Sequence, residues 1–298
     1  MKIGIIRPYE VEFNPGDVAD LEDAIVKRGH TPTRIYVDML EIHIGGGVRV
    51  RQSIGRGPPA PVDVPGAVLR HLGIFRDFEQ FLYRVWAVKA VEEVGIYVMN
   101  PVEQWVAAGD KMAALIKLAK AGLPVPPTIV TENMFAGYRA IAEWGKSVVK
   151  QLRGAMGYGV FLVDNPDVAF HIFSMLININ KPLYVQKYLE KGSGDYRVVV
   201  VGGRAIGAEY RRGESWKTNV AQGARPEAAK LTPELEELAV RAVETLGLDY
   251  GGVDVAETPE GYYVLEVNPT MSWQGFKLAT GINPAEYIID YLLEKLRR

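Results

Sequence analysis

The first hundred residues alternate short apolar runs with stretches of helical periodicity, and this alternation restricts the possible folds more than any other feature of the chain. Lys2–Arg7 reads as a short buried strand. Residues 17–28 set Val18, Leu21, Ala24 and Ile25 at helical spacing, and Gly29 stops the run. Thr33–Asp38 and Ala67–Leu72 read as strands, Asp77–Val94 as a long amphipathic helix ending at Gly95, and Tyr97–Asn100 closes the unit. Gly45–Gly47 and the proline-rich Gly55–Gly66 are expected loops. Strands separated by helices need crossover connections, hence a parallel sheet. Residues 1–99 are therefore expected to form a Rossmann-like domain of three or four strands.

The residue before a proline is pushed out of the helical region, so Asn100-Pro101 marks a boundary. Residues 100–188 read as a small α+β unit. Helices Val102–Ala108 and Lys111–Ala121 come first, the second with Asp110 as N-cap. Then follow strand Thr128–Glu132, helix Phe135–Trp144, strand Ser147–Gln151, strand Val160–Asp164, helix Pro166–Ile177 and strand Leu183–Leu189. Residues 189–298 look antiparallel. Tyr196–Val201 and Arg204–Arg211 are joined by Gly202-Gly203, and Gly252–Glu257 and Tyr262–Val267 by Pro259-Glu260-Gly261. Gly213–Lys230 reads as a polar loop, Pro233–Thr245 as a helix, and Pro284–Arg298 as a terminal amphipathic helix.

Composition closes off several classes of function. With 34 basic and 36 acidic residues the chain has no overall basic field for nucleic acid. No apolar run reaches the length of a membrane span, and the N-terminal one is too short for a signal peptide. The absence of cysteine excludes disulfides, thiolate metal sites and cysteine nucleophiles, and fits a cytoplasmic setting.

Three constellations carry chemistry. The apolar strand Val148-Val149-Lys150 runs into a loop holding Gly154, Gly157 and Gly159. Glycines let backbone N–H groups approach a polyphosphate, and lysine supplies a point charge. The loop joins strand to strand, so it is neither a Walker motif nor a dinucleotide fingerprint. Second, strand alternation puts Glu266 and Asn268 on one face, and a hairpin can bring Asp254 opposite them. Three oxygen-bearing side chains on one face suit Mg²⁺. Third, Arg197, Arg211, Arg212 and Lys217 cluster where a transferring phosphoryl group would need positive charge.

Taken in order, these motifs resemble the ATP-grasp superfamily, and within it the RimK-type glutamate ligases. The matching segments are Asp110-Lys111, Val148-Val149-Lys150, the Gly154–Gly159 loop, Val185-Gln186-Lys187-Tyr188-Leu189 and Asp195-Tyr196-Arg197. Ser215-Trp216-Lys217-Thr218-Asn219, Gly252-Val253-Asp254 and Glu266-Val267-Asn268-Pro269 complete the series, which runs from Asn100 to the C-terminus.

The resemblance implies an α/β (α+β) ATP-grasp fold. Residues 1–99 would be its Rossmann-like pre-ATP-grasp domain, 100–188 its central subdomain and 189–298 its C-terminal subdomain. Lys111 and Lys150 would contact ATP, and Gly154, Gly157 and Gly159 would close over the phosphates. Gln186, Lys187, Tyr188 and Leu189 would line the adenine pocket, with Asp195 also on the nucleotide side. Asp254, Glu266 and Asn268 would hold Mg²⁺, or alternatively Mn²⁺. Arg197, Arg211 and Asn219 would be the catalytic groups facing the γ-phosphate and an acyl phosphate. The implied reaction joins L-glutamate to a carboxylate of a cofactor, peptide or carrier protein. The stretch Gly213–Asn219 is similar to that of members acting on pterin or deazaflavin cofactors. Family likeness also implies a homo-oligomer.

Some features stay outside this reading. Met271 and Trp273 either shape an acceptor pocket or pack. His71 is a substrate-binding candidate. Arg70, Arg76 and Arg84 either hold an acidic substrate or pair with Asp77 or Glu79. Phe78, Phe81, Leu82, Val85 and Trp86 form an apolar stripe that is core or a dimer face. An ATP-binding sensor without turnover is the competing function. A dehydrogenase is disfavoured, because Arg7-Pro8-Tyr9-Glu10 stands where a glycine fingerprint belongs.

Overall fold

The computed structural model describes residues 1–9, 14–74, 77–152, 159–213, 216 and 223–298. The N-terminal part contains β1 (Lys2–Arg7), α1 (Pro15–Lys27), β2 (Thr31–Tyr36), β3 (Leu40–Ile44), β4 (Val48–Gln52), β5 (Ala60–Pro61), β6 (Gly66–Leu69), α2 (Phe78–Glu93) and β7 (Tyr97–Met99). The expected parallel sheet is present, in the order β2-β1-β6-β7. Ile3, Ile5 and Ile6 on β1 are fully buried because helices cover both faces of such a sheet.

Residues 40–61 also carry a three-stranded antiparallel sheet that was not expected, β3-β4-β5, whose last strand falls within the expected loop Gly55–Gly66. Gly45–Gly47, all at positive φ, turn β3 into β4. Leu40, Ile42 and Ile44 alternate with polar residues, which is the strand signal that the glycines and prolines obscured.

The central part comprises α3 (Val102–Gly109), α4 (Lys111–Lys120), β8 (Thr128–Thr131), α5 (Met134–Trp144), β9 (Ser147–Lys150), β10 (Val160–Val163), α6 (Pro166–Asn178) and β11 (Leu183–Lys187). Its strands form an antiparallel sheet ordered β10-β9-β11-β8. Ile141 of α5 and Phe173 of α6 close a core over Val149 and Val185.

The C-terminal part comprises β12 (Gly194–Val201), β13 (Arg204–Arg212), β14 (Arg225–Ala229), α7 (Pro233–Thr245), β15 (Tyr250–Thr258), β16 (Gly261–Asn268), α8 (Gln274–Thr280) and α9 (Pro284–Lys295). The five strands form an antiparallel sheet, β14-β13-β12-β15-β16. Both expected hairpins are present, whereas β14 lies in the segment expected to be loop and α8 was not anticipated. One face packs Val198, Val200, Val253 and Val255 beneath Leu235, Ala239 and Val243 of α7. On the opposite face, Ile288, Ile289 and Leu292 of α9 meet Val199 and Val201 and also Ile3, Leu21 and Ile25 of the parallel sheet and α1. The terminal helix thus ties the first sheet to the last.

Met271 and Trp273 are fully buried in that shared core, so they pack rather than form a pocket. Arg70 does not reach Asp77 or Glu79. It donates to Asp17 (3.1 Å), Tyr250 (3.4 Å) and the Met271 carbonyl (3.0 Å), and lies 4.2 Å from the Trp273 ring centre. Asp77 is the N-cap of α2, Arg84 donates to the Leu72 and Ile74 carbonyls, and Arg76 lies outside the described residues. Asn100 accepts from the Asp249 and Tyr250 amides and donates to the Tyr250 and Pro269 carbonyls, stitching the first boundary to the last sheet. Of the α2 stripe, Phe78, Leu82 and Trp86 are exposed, whereas Val85 packs against the first core. Among the described residues, no helix is long and apolar enough to cross a membrane.

Candidate active site

The register of the last hairpin sets Asp254 directly opposite Glu266, and Gly252 opposite Asn268. A bulge skips Leu265, so Val264 and Val267 both enter the core while Glu266 and Asn268 share the face of Asp254. Asn268 Nδ2 donates to Glu266 Oε1 at 3.0 Å, which leaves its Oδ1 as an acceptor.

Asp254 is buried and held by two guanidinium groups. Arg197 binds it bidentately through Nε (2.8 Å) and Nη2 (2.9 Å), and Arg211 Nη2 lies at 3.0 Å. Arg211 also donates Nε to Asp195 at 2.8 Å, and Lys191 stands 3.4 Å from the other Asp195 oxygen. Burial alone would raise the Asp254 pKa, but Arg197 and Arg211 outweigh it and hold the carboxyl below its usual range. Burial would likewise lower the Arg211 pKa, and Asp254 and Asp195 reverse that.

The trio fits a hard divalent cation. Three of the roughly four lone-pair directions of the Asp254 carboxylate are taken by arginine N–H groups, leaving one on Oδ1. Glu266 and the Asn268 carbonyl add two more oxygens of the type such ions prefer. Among the described residues no cluster of three or more acidic or histidine side chains offers an alternative metal site.

Across from this sheet, Lys150 ends β9 and donates to Gln186 Oε1 at 2.9 Å. Gln186 in turn donates to Thr128 Oγ1 (2.9 Å) and Tyr184 Oη (3.0 Å), so its amide is committed to holding Lys150. Burial pushes the Lys150 ammonium down to about 8, with Lys111 and Lys191 adding to the shift and Glu266 and Asp254 opposing it. Lys150 therefore stands in the electrostatic field of both the carboxylates Glu266 and Asp254 and the lysines. Lys111, at the start of α4, lines a small cavity with Glu266 and Asn268.

At the end of β11 and just after it, backbone groups are paired. The Lys187 amide bonds the Pro127 carbonyl (2.9 Å) and the Tyr188 amide the Lys146 carbonyl (3.0 Å), while Lys146 lies 4.0 Å from the Tyr188 ring centre. The Leu189 carbonyl accepts from the Lys191 amide at 2.7 Å. Gly159, at φ 66°, leads into β10. Gly154, Gly157 and Asn219 lie outside the described residues. His71 is largely buried, and burial, then Arg70 and Arg7, drive its pKa down to about 3, so it stays neutral.

Sequence reading missed Lys191 and Glu209. Lys191 could have been found from its four-residue spacing to Asp195. Glu209 had a signal in its alternation with Arg211, which puts it on the Arg197–Asp254 face.

Residues 108–292 match the model of the RimK-like ATP-grasp domain. The tetrahydromethanopterin:alpha-L-glutamate ligase of Methanosarcina acetivorans is 33% identical over 260 residues, covering 77% of this chain and 80% of that protein. The enzyme of the same name from Methanocaldococcus jannaschii is 34% identical over 208 residues, covering 67% and 70%. Among solved structures, the ATP-grasp ligase PsnB, crystallised with a minimal precursor, Mg and ADP, superposes with a TM-score of 0.74. The identity is 22%, covering 99% of this chain and 98% of that one, a likeness of fold.

Proposed function

The chain belongs to the RimK-like ATP-grasp family, and from that premise we propose that it is an ATP-dependent ligase joining the α-amino group of L-glutamate to a carboxylate of a pterin-type cofactor. The observation that carries this reading is the meeting of phosphate-type cations with metal-type oxygens. Arg197, Arg211 and Lys150 surround Asp254 and Glu266 between two antiparallel sheets. A pure nucleotide sensor has no need for arginines beyond the metal trio. The choice of pterin as acceptor draws on the substrate in the relatives' names.

A carboxylate is a poor electrophile, so the γ-phosphoryl group of ATP is first transferred to it. The acceptor oxygen forms a bond to phosphorus as the bond to ADP breaks. The amine then attacks the acyl carbon, and phosphate departs with the C–O electron pair. Of the two protons the ammonium group loses, one ends on phosphate and one in solvent. Both steps bring anions together, and the guanidinium groups of Arg197 and Arg211 oppose that repulsion. Lys150, fixed by Gln186, adds charge from the opposite wall. We infer that Asp254, Glu266 and Asn268 hold Mg²⁺, which supplies charge neutralisation on the phosphate oxygens. Lys111 is assigned to the nucleotide, as are the backbone of Lys187–Leu189 and the glycine loop. Asn219 is assigned to the phosphoryl group.

The test is a phosphate-release assay with Mg-ATP and L-glutamate, offering tetrahydromethanopterin, a deazaflavin cofactor, acidic peptides and a carrier protein in parallel. The expected result is ADP and phosphate formed in step with a glutamylated pterin. Ligation of a peptide or carrier protein but no cofactor would overturn the acceptor assignment. ATP binding without turnover across the panel would favour the sensor.

A further inference from the structure

The face of β12, β13 and β15 that carries the arginines also carries a carboxylate with no task in the scheme above. Glu209 lies directly opposite Arg197 and two residues before Arg211. It is 3% exposed, and among the described residues its buried Oε2 has no hydrogen-bond partner. The adjacent guanidinium groups do not serve it, because Arg197 gives Nε and Nη2 to Asp254 and Arg211 divides between Asp195 and Asp254. A buried anion with an unsatisfied oxygen is costly unless it receives a charged donor.

We propose that Glu209 binds the ammonium group of the incoming amino acid, presenting its nitrogen to an acyl phosphate held by Arg197 and Arg211. This deepens the ligase reading and rests on it. A primary ammonium suits the place: it is compact, cationic and carries several N–H donors. A divalent metal does not, since the nearby carboxylates Asp254 and Asp195 are already bound by Arg197 and Arg211. Gly275 of α8, which has no side chain, lies on the Oε2 side. A Cβ built there would lie 3.7 Å from Oε2 and 3.7 Å from Pro226.

The surrounding charges agree. Burial raises the Glu209 pKa; Arg197 and Arg211 lower it, while Asp254 on β15 and Asp195 on β12 raise it further, so the carboxyl stays above its usual range. The amine thereby meets the acyl phosphate beside the arginines, at a point distinct from the metal trio on β15 and β16.

The experiment separates the two half-reactions of the purified full chain with Mg-ATP and tetrahydromethanopterin. L-glutamate is varied in one arm. In the other, hydroxylamine, a small uncharged nucleophile, traps the acyl phosphate as a hydroxamate. Glu209→Gln is expected to raise the KM for L-glutamate about ten- to hundredfold, the value of one charged hydrogen bond. The KM for ATP and hydroxamate formation should stay within about threefold of wild type. An unchanged KM for L-glutamate overturns the proposal, and so does parallel loss of hydroxamate, which would make Glu209 part of the phosphate site. Gly275→Leu keeps the carboxylate and crowds its free oxygen, so it serves if Glu209→Gln fails to fold. It should raise the same KM, and an unaltered value refutes the idea. If wild type forms neither amide nor hydroxamate, the ligase reading itself falls and takes this inference with it.

Discussion

Replacing Asp254 by asparagine distinguishes two accounts of the site before any ligand is added. If Asp254 and Glu266 were simply two acids waiting for a cation, neutralising one would relieve repulsion and stabilise the protein. The structure gives the opposite sign. The Asp254 carboxylate takes three short bonds from Arg197 and Arg211, and its side chain is 5% exposed. Removing one partner of a buried ion pair costs about 3–5 kcal/mol. At roughly 2.1 cal/mol/K per residue, a chain of 298 residues unfolds with an entropy of about 0.6 kcal/mol/K. Asp254→Asn should therefore lower Tm by about 5–8 °C at pH 7, measured by scanning calorimetry in EDTA without nucleotide. The pH dependence supplies a second check. The folded-state pKa of Asp254 is depressed, so its stabilisation is complete above the unfolded value near about 4 and fades as pH falls toward the folded one. The gap between wild type and variant should narrow on acidification. An unchanged or higher Tm in the variant, or a gap that widens in acid, would refute the reasoning.

Lys150 should lose its proton near pH 8, so kcat/KM for ATP should fall about tenfold per pH unit above that point. Lys150→Arg, charged throughout, should abolish the alkaline limb; an alkaline limb that persists in the arginine variant assigns it elsewhere. A Cβ at residue 252 would meet Met271 Sδ at 2.7 Å, so Gly252→Ala should destabilise by about 1–3 kcal/mol in a urea melt, and Met271→Ala should recover part of the loss. Full stability of the single variant would show that the methionine yields freely. Arg70→Met leaves the buried Asp17 without its cation and should cost about 3–5 kcal/mol in guanidinium unfolding, with an unaltered midpoint as the contrary outcome.

The parallel sheet was legible because burial on both faces leaves an unbroken apolar run, as in Ile3, Ile5 and Ile6. The small sheet of β3, β4 and β5 was not, since its strands are short and partly exposed and lie between glycine- and proline-rich loops. Strand β14 is similar. Arg225–Ala229 contains a proline and a charge pair, as sheet edges do, and its place is fixed by pairing with β13 rather than by its own pattern. Trp273 was ambiguous for the opposite reason. A bulky residue after a functional motif has the same sequence signature whether it lines a pocket or fills a core, and only the return of α9 to the first sheet decides.

Asp254, Glu266 and Asn268 were readable from one hairpin, because two-residue alternation and a short turn fix both face and register locally. Everything that depends on a second strand was harder. Arg197 and Arg211 could be counted as cations, yet their partners follow from β12 lying between β13 and β15. That arrangement pairs the acids of this face: each of Asp195 and Asp254 has an arginine, and among the described residues the neighbouring Glu209 is left with an unbonded oxygen. A linear reading cannot find such a remainder, since it appears only after every neighbouring donor has been assigned. A buried carboxylate oxygen left without a donor is where an incoming cation gains most by binding.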